Sequence, residues 1–185
     1  MLAMFALPSA ILLLILGLMS YSNIRGTLVP LTQYMSQEIL NARANEVGRL
    51  INGYSREIQT LSSIDAFKTG DIDIIKAEFD KRTSSINKDW NNIAYVDQKG
   101  IATNSLGKSG DNSKIEYFTA IMKEKKDFFL SSPVISNTSG KNIFIISSSI
   151  KNSNGETSGI LNGVITLDTM SAIIGDIKIG DNGYG

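Results

Sequence analysis

The sequence predicts an α+β fold: an N-terminal transmembrane helix continuing into a long stalk helix, then a five-stranded antiparallel sheet with helices on one face. Three observations predict it. The first 24 residues carry no charged side chain, and Leu2 to Tyr21 is almost continuously apolar. The residues that follow keep a spacing of threes and fours between apolar side chains. From Trp90 onward the period becomes strand-like, interrupted by turns rich in asparagine and glycine.

Roughly 20 apolar residues are enough to span a hydrocarbon core of ~30 Å as a helix. A retained span over 1–22 is expected rather than a cleaved signal peptide. No basic residue precedes the apolar run, the run is long, and no Ala-x-Ala follows it. Pro8 lies in the first turns, where proline costs little. The Met1 side lacks the lysines and arginines that usually mark the cytoplasm, so charge bias leaves the orientation open.

A stalk helix is expected over 23–63. Leu28, Leu31, Met35, Ile39, Leu50, Tyr54, Ile58 and Leu61 fall at helical spacing, and Arg43, Glu46 and Arg49 alternate in sign as on a solvated face. Such a helix is about 50 Å long. Two shorter helices broken near Gly53 are the alternative. Lys68 to Asp71 reads as a turn, and Asp71 or Asp73 can cap a second helix through Ser85.

Trp90 to Val96 and Ile101 to Asn104 read as strands joined by the Asp97-Gln98-Lys99-Gly100 turn. A glycine-rich loop covers Leu106 to Asn112. Ser113-x-x-Glu116 reads as a capping box opening a short helix that ends in lysines 123, 125 and 126. Strands are expected over Phe128 to Ile135, Asn142 to Ile150 and Ser158 to Leu167, then a closing helix over Thr169 to Ile177.

Composition narrows function. Hydrophobic residues make up 42% of the chain and charged residues 19%, enough to bury a core. Basic and acidic residues balance at 18 each, which argues against nucleic acid as a partner. With no cysteine and no histidine, the usual zinc, iron–sulfur and haem ligands and the Ser-His-Asp triad are missing. No cofactor, no metal and no catalysis are expected. Asp71 and Asp73 read as caps rather than a catalytic pair, and Asp97 as a turn residue. Gly180-Asp181-Asn182-Gly183 lacks the spacing of a calcium loop. Trp90, Tyr95, Tyr117 and Phe118 cluster around the hairpin and the following loop, where aromatics line either a small-molecule pocket or an ordinary core.

Phe128-Phe-Leu-Ser-Ser-Pro-Val-Ile-Ser136, Ser139-Gly-Lys141, Ile143-Phe-Ile-Ile-Ser147, Gly159-Ile-Leu-Asn-Gly-Val-Ile-Thr-Leu-Asp168 and the Tyr117-Phe118 pair resemble the Cache sensor domains of bacterial membrane receptors, such as methyl-accepting chemotaxis proteins. The resemblance is to the double Cache type. It implies a membrane-distal, PAS-like module over 64–178, followed at 179–185 by the start of a truncated membrane-proximal module. It implies an extracytoplasmic, ligand-sensing input domain held in the cell membrane and paired as a homodimer through the stalk. The output would be a chemoreceptor coil, a histidine kinase or a diguanylate cyclase. The alternative is a membrane-anchored structural or adhesion module.

In the family's amino-acid-binding motif, charged or polar residues stand where this chain has Ile115, Val134 and Ser136, and near Val164; the aromatic Tyr117 is kept. An amino acid is therefore not expected to bind by that route. The ligand-binding residues so expected are Trp90, Tyr95, Tyr117, Phe118, Val134 and Ser136.

Overall fold

A computed structural model gives the fold and describes residues 2–24, 26, 29–136 and 139–176. The expected linker at 178–185 and part of the turn after Ser136 lie outside the described residues. Two units are distinguished, 1–48 and 49–185.

In the first unit, α1 runs Leu2–Asn23. It exposes Leu12, Leu13, Leu14 and Leu16. Among the described residues, no helix is long and apolar enough to cross a membrane. The span over 1–22 thus stands on the sequence alone. The second helix, α2, runs Val29–Ser62 without a break at Gly53, so the two-helix alternative falls. Its first turns expose Leu31, Tyr34, Met35 and Leu40.

The second unit holds the end of α2, then α3 (Asp65–Lys68) and α4 (Ile72–Arg82). Asp71 caps α4: its Oδ1 accepts from the amides of Asp73 at 2.9 Å and Ile74 at 3.3 Å. Such a cap contributes about 1 kcal/mol.

The sheet has seven antiparallel strands, not the expected five. They are β1 (Asn92–Val96), β2 (Ile101–Asn104), β3 (Ser109–Asp111), β4 (Phe128–Leu130), β5 (Val134–Ile135), β6 (Asn142–Lys151) and β7 (Thr157–Thr166). The order is β3-β2-β1-β7-β6-β4, with β5 also on β6. Two causes account for the difference. Pro133 has no amide hydrogen to give the ladder, so the single strand expected over Phe128 to Ile135 splits into β4 and β5. The expected glycine-rich loop folds back as β3 and pairs Gly110 with Ala102.

Helices cover both faces rather than one. The longest strands carry consecutive apolar residues, as in Ile143-Phe144-Ile145-Ile146, so both faces need burial. On one face Tyr54 and Ile58 of α2, Phe67 of α3 and Phe79 of α4 pack against Trp90, Ile93, Tyr95 and Leu161. The α6 helix (Leu167–Asp176) adds Met170 to that core. On the other face α5 (Glu116–Phe118) and the π-helical turn Thr119–Lys123 set Tyr117, Phe118 and Ile121 against Val96, Ile160 and Val164.

The capping box does not form. Ile115 holds the cap position of α5 with no side-chain hydrogen bond, and the amide of Ser113 goes to Asp111 Oδ1 at 2.9 Å. The carboxylate two residues back engages the segment first, as a turn.

Candidate functional site

The side-chain alternation of the sheet decides what each face can do. On β7, Ile160, Asn162 and Val164 point to the α5 face, while Leu161, Gly163 and Ile165 point to the α2 face. The α5 face is not filled. A cavity of about 300 Å³ opens over it, a size suited to a small metabolite.

Its floor is strand: Asn92 and Ala94 of β1, Ala102 and Asn104 of β2, with Ile143 and Ile145 of β6 and Asn162 and Val164 of β7 beside them. Its walls are the Lys108–Gly110 segment with Asn112, then Ile115 and Tyr117, then Val134 to Ser136. One cross-strand row runs Asn104, Ala94, Asn162, Ser147. Asn162 is 2% exposed and Ser147 fully buried; Asn162 Oδ1 and Ser147 Oγ have no hydrogen-bond partner.

Tyr117 is the buried phenol of the wall. Asn112 Nδ2 donates to its hydroxyl oxygen at 2.8 Å, and the Asn162 amide also favours the ionised phenol. Burial pushes the Tyr117 phenol up to about 12, against the pull of those two amides, so it stays protonated at neutral pH. Tyr54 and Tyr95 in the opposite core are pushed up as well, first by burial.

The pH consequence has a definite sign. A phenol whose native value lies above its unfolded value of ~10 stabilises the fold fully below pH ~10 and loses that contribution as pH rises towards the native value. Stability is therefore expected to hold to about pH 9.5 and then fall. Tyr117→Phe should remove part of the fall between about pH 10 and 12. Urea melts of both proteins across that range check this; identical slopes would show that Tyr117 does not contribute.

The six expected site residues divide. Tyr117, Val134 and Ser136 line the cavity. Phe118 packs in the core beside it without lining it. Trp90 and Tyr95 lie on the opposite face among the α2, α3 and α4 side chains. Trp90 stacks edge-on against Tyr54 at 5.1 Å, and Tyr54 donates to Asp89 Oδ2 at 2.7 Å. Ile115, Val134, Ser136 and Val164, the positions matched to the amino-acid motif, all line the one cavity.

Sequence reasoning missed the asparagines. Asn162 carried a signal: it is the one polar side chain between Gly159 and Ile165 on a buried strand. Asn92 and Asn112 carried none, since both read as ordinary boundary residues.

No family model and no curated protein match the chain. Solved structures do match. One is the ligand-binding domain of the Pseudomonas aeruginosa PAO1 amino-acid chemoreceptor PctC in complex with GABA. It is 18% identical with a TM-score of 0.64, over 83% of this chain and 70% of that one. Another is the extracellular domain of the histidine kinase rpHK1S-Z16, 17% identical with a TM-score of 0.65, over 81% and 64%. A third is the ligand-binding domain of the Pseudomonas fluorescens chemoreceptor CtaA in complex with L-serine. It is 17% identical with a TM-score of 0.62, over 78% and 62%.

The chain thus spans a little under two thirds of the length of the last two. It has the fold of chemoreceptor and kinase sensor domains, consistent with the Cache resemblance. Two of these neighbours are ligand-binding domains of chemoreceptors, and the third is the extracellular domain of a kinase. Two of the three hold amino acids, so they lend no support to the expectation that an amino acid is not the ligand.

Proposed function

We propose that this chain is the small-molecule-sensing input region of a transmembrane receptor. In this reading residues 1–22 cross the membrane and 23–63 form the stalk. Residues 64–178 are the membrane-distal sensor module outside the cytoplasm, and 179–185 begin a second module. The output is a chemotaxis receptor, a histidine kinase or a diguanylate cyclase. The observation that carries the reading is the unfilled cavity over one face of a sheet whose other face packs against helices. Further support comes from the shared fold of the sensor domains. The uncharged leading segment supports the span, and the exposed Leu31, Tyr34 and Met35 support pairing of two copies along the stalk.

Signalling in such a receptor is a population shift. A ligand that favours one of two stalk arrangements moves the equilibrium by its difference in affinity for them. The test is a thermal-shift screen of the full chain in lipid nanodiscs against a broad metabolite panel, confirmed by calorimetry. A ligand present at 100 times its Kd is expected to stabilise the chain by about 2.7 kcal/mol. Asn162→Leu, which fills the cavity floor, should abolish the shift. If no compound of any charge class binds, the sensor reading fails.

A further inference from the structure

We infer that the cavity selects a small carboxylic acid whose second polar group is a neutral donor, a hydroxyl or an amide N–H, over the amino acid of the same shape. The inference rests on the sensor reading above.

Asn162 supplies the first observation. It lies at the floor, 2% exposed, and its Oδ1 has no partner. A buried acceptor left unpaired is costly; this oxygen is covered beneath the cavity floor, and a turn of the Asn162 amide presents it to a ligand O–H or N–H that relieves that cost.

The second is the absence of an anion. Among the described residues lining the cavity there is no carboxylate, and the Tyr117 phenol keeps its proton. An ammonium group brought against Ala94, Ile143, Ile145 and Val164 would shed its water with no counter-charge to replace it, whereas a hydroxyl needs only the amide oxygen.

The third is Lys108. It is the one charged residue among the described lining residues, exposed, and in no ion pair with any described residue. Its backbone is pinned, since Asn104 Oδ1 accepts from its amide at 2.9 Å. A lysine held there offers a charge-assisted hydrogen bond to a carboxylate.

The experiment compares matched pairs on the full chain in nanodiscs by calorimetry at pH 7. The pairs are glycolate with glycine and L-2-hydroxyisocaproate with L-leucine, with N-acetylglycine as the amide probe. At least one of the three acids is expected to bind at least about tenfold tighter than its matching amino acid. Lys108→Gln changes an exposed side chain, so the fold is kept, and it should weaken acid binding by about tenfold. Asn162→Asp places an anion on the floor and should reverse the preference within a pair.

Failure of every acid to bind at least about tenfold tighter than its matching amino acid overturns the inference, as does failure of every acid to bind at millimolar concentration. So does an acid affinity untouched by Lys108→Gln. In each case a compound of another charge class that binds the parent and is lost in Asn162→Leu leaves the sensor reading standing.

Discussion

Replacing Gly163 with valine is expected to lower stability by about 3 kcal/mol or more, among the larger single-residue effects available in this chain. Even a single Cβ at Gly163 would sit 2.3 Å from Trp90 Cζ3 and 2.7 Å from Ile58 Cδ1. Neither neighbour has room to retreat. Ile58 is fully buried on α2, and the Trp90 ring is fixed edge-on by Tyr54, whose hydroxyl is anchored to Asp89. The new side chain must separate α2 from the sheet or distort β7. Gly53→Ala is the control: nothing lies within 4 Å of its position on α2, and an alanine in a helix interior is expected to stabilise by about 0.5–1 kcal/mol. Urea denaturation of the three proteins decides the matter. A Gly163→Val protein within about 0.5 kcal/mol of the parent would show that the helix-to-sheet contact is far softer than its geometry.

Gly100→Ala is expected to cost about 2–4 kcal/mol and to weaken ligand binding as well. Gly100 has φ +89, a conformation that L side chains rarely adopt. Its Cβ would stand 2.5 Å from Ser113 Cβ and 2.8 Å from the Ser113 amide nitrogen. The Gly100 carbonyl also accepts from the Asn112 amide at 2.8 Å. The turn after β1 is thus the support on which the cavity wall of Asn112 and Tyr117 rests. Pushing Ser113 away moves the Asn112 amide that holds the Tyr117 hydroxyl. Calorimetry and a urea melt of the same protein test both halves. A destabilised variant with unchanged affinity would show that the wall is held from elsewhere.

The elements legible in the sequence were those fixed by local chemistry. Asp71 precedes an apolar-periodic run and caps it. Asp97 accepts from the amides of Lys99 and Ile101, each at 2.8 Å, and makes the turn its sequence suggests. Ile101–Asn104 and the paired long strands follow from β-branched and aromatic runs bounded by turns that end in glycine. What was not legible depends on partners distant in the chain. Nothing local tells Ser109–Asp111 that Ala102 will present an open edge. Nothing local separates Ser113 as a helix cap from Ser113 as a donor to Asp111. The candidate site was half legible for the same reason. Aromatic residues mark places where something large is buried, but which face of the sheet they enter is a matter of register. Tyr95 and Ala94 are neighbours in sequence, and only the smaller one faces the cavity.

Register also has a mechanical consequence. Asn162 and Gly163 are consecutive on β7, one under the cavity and the other under Trp90 and Ile58. Their Cα atoms are ~3.8 Å apart across a single rigid peptide plane. The wall between the cavity and α2 is therefore one backbone thick. A pull on the asparagine amide and a push from the helix act on opposite sides of the same plank, and neither can tilt it without being felt by the other.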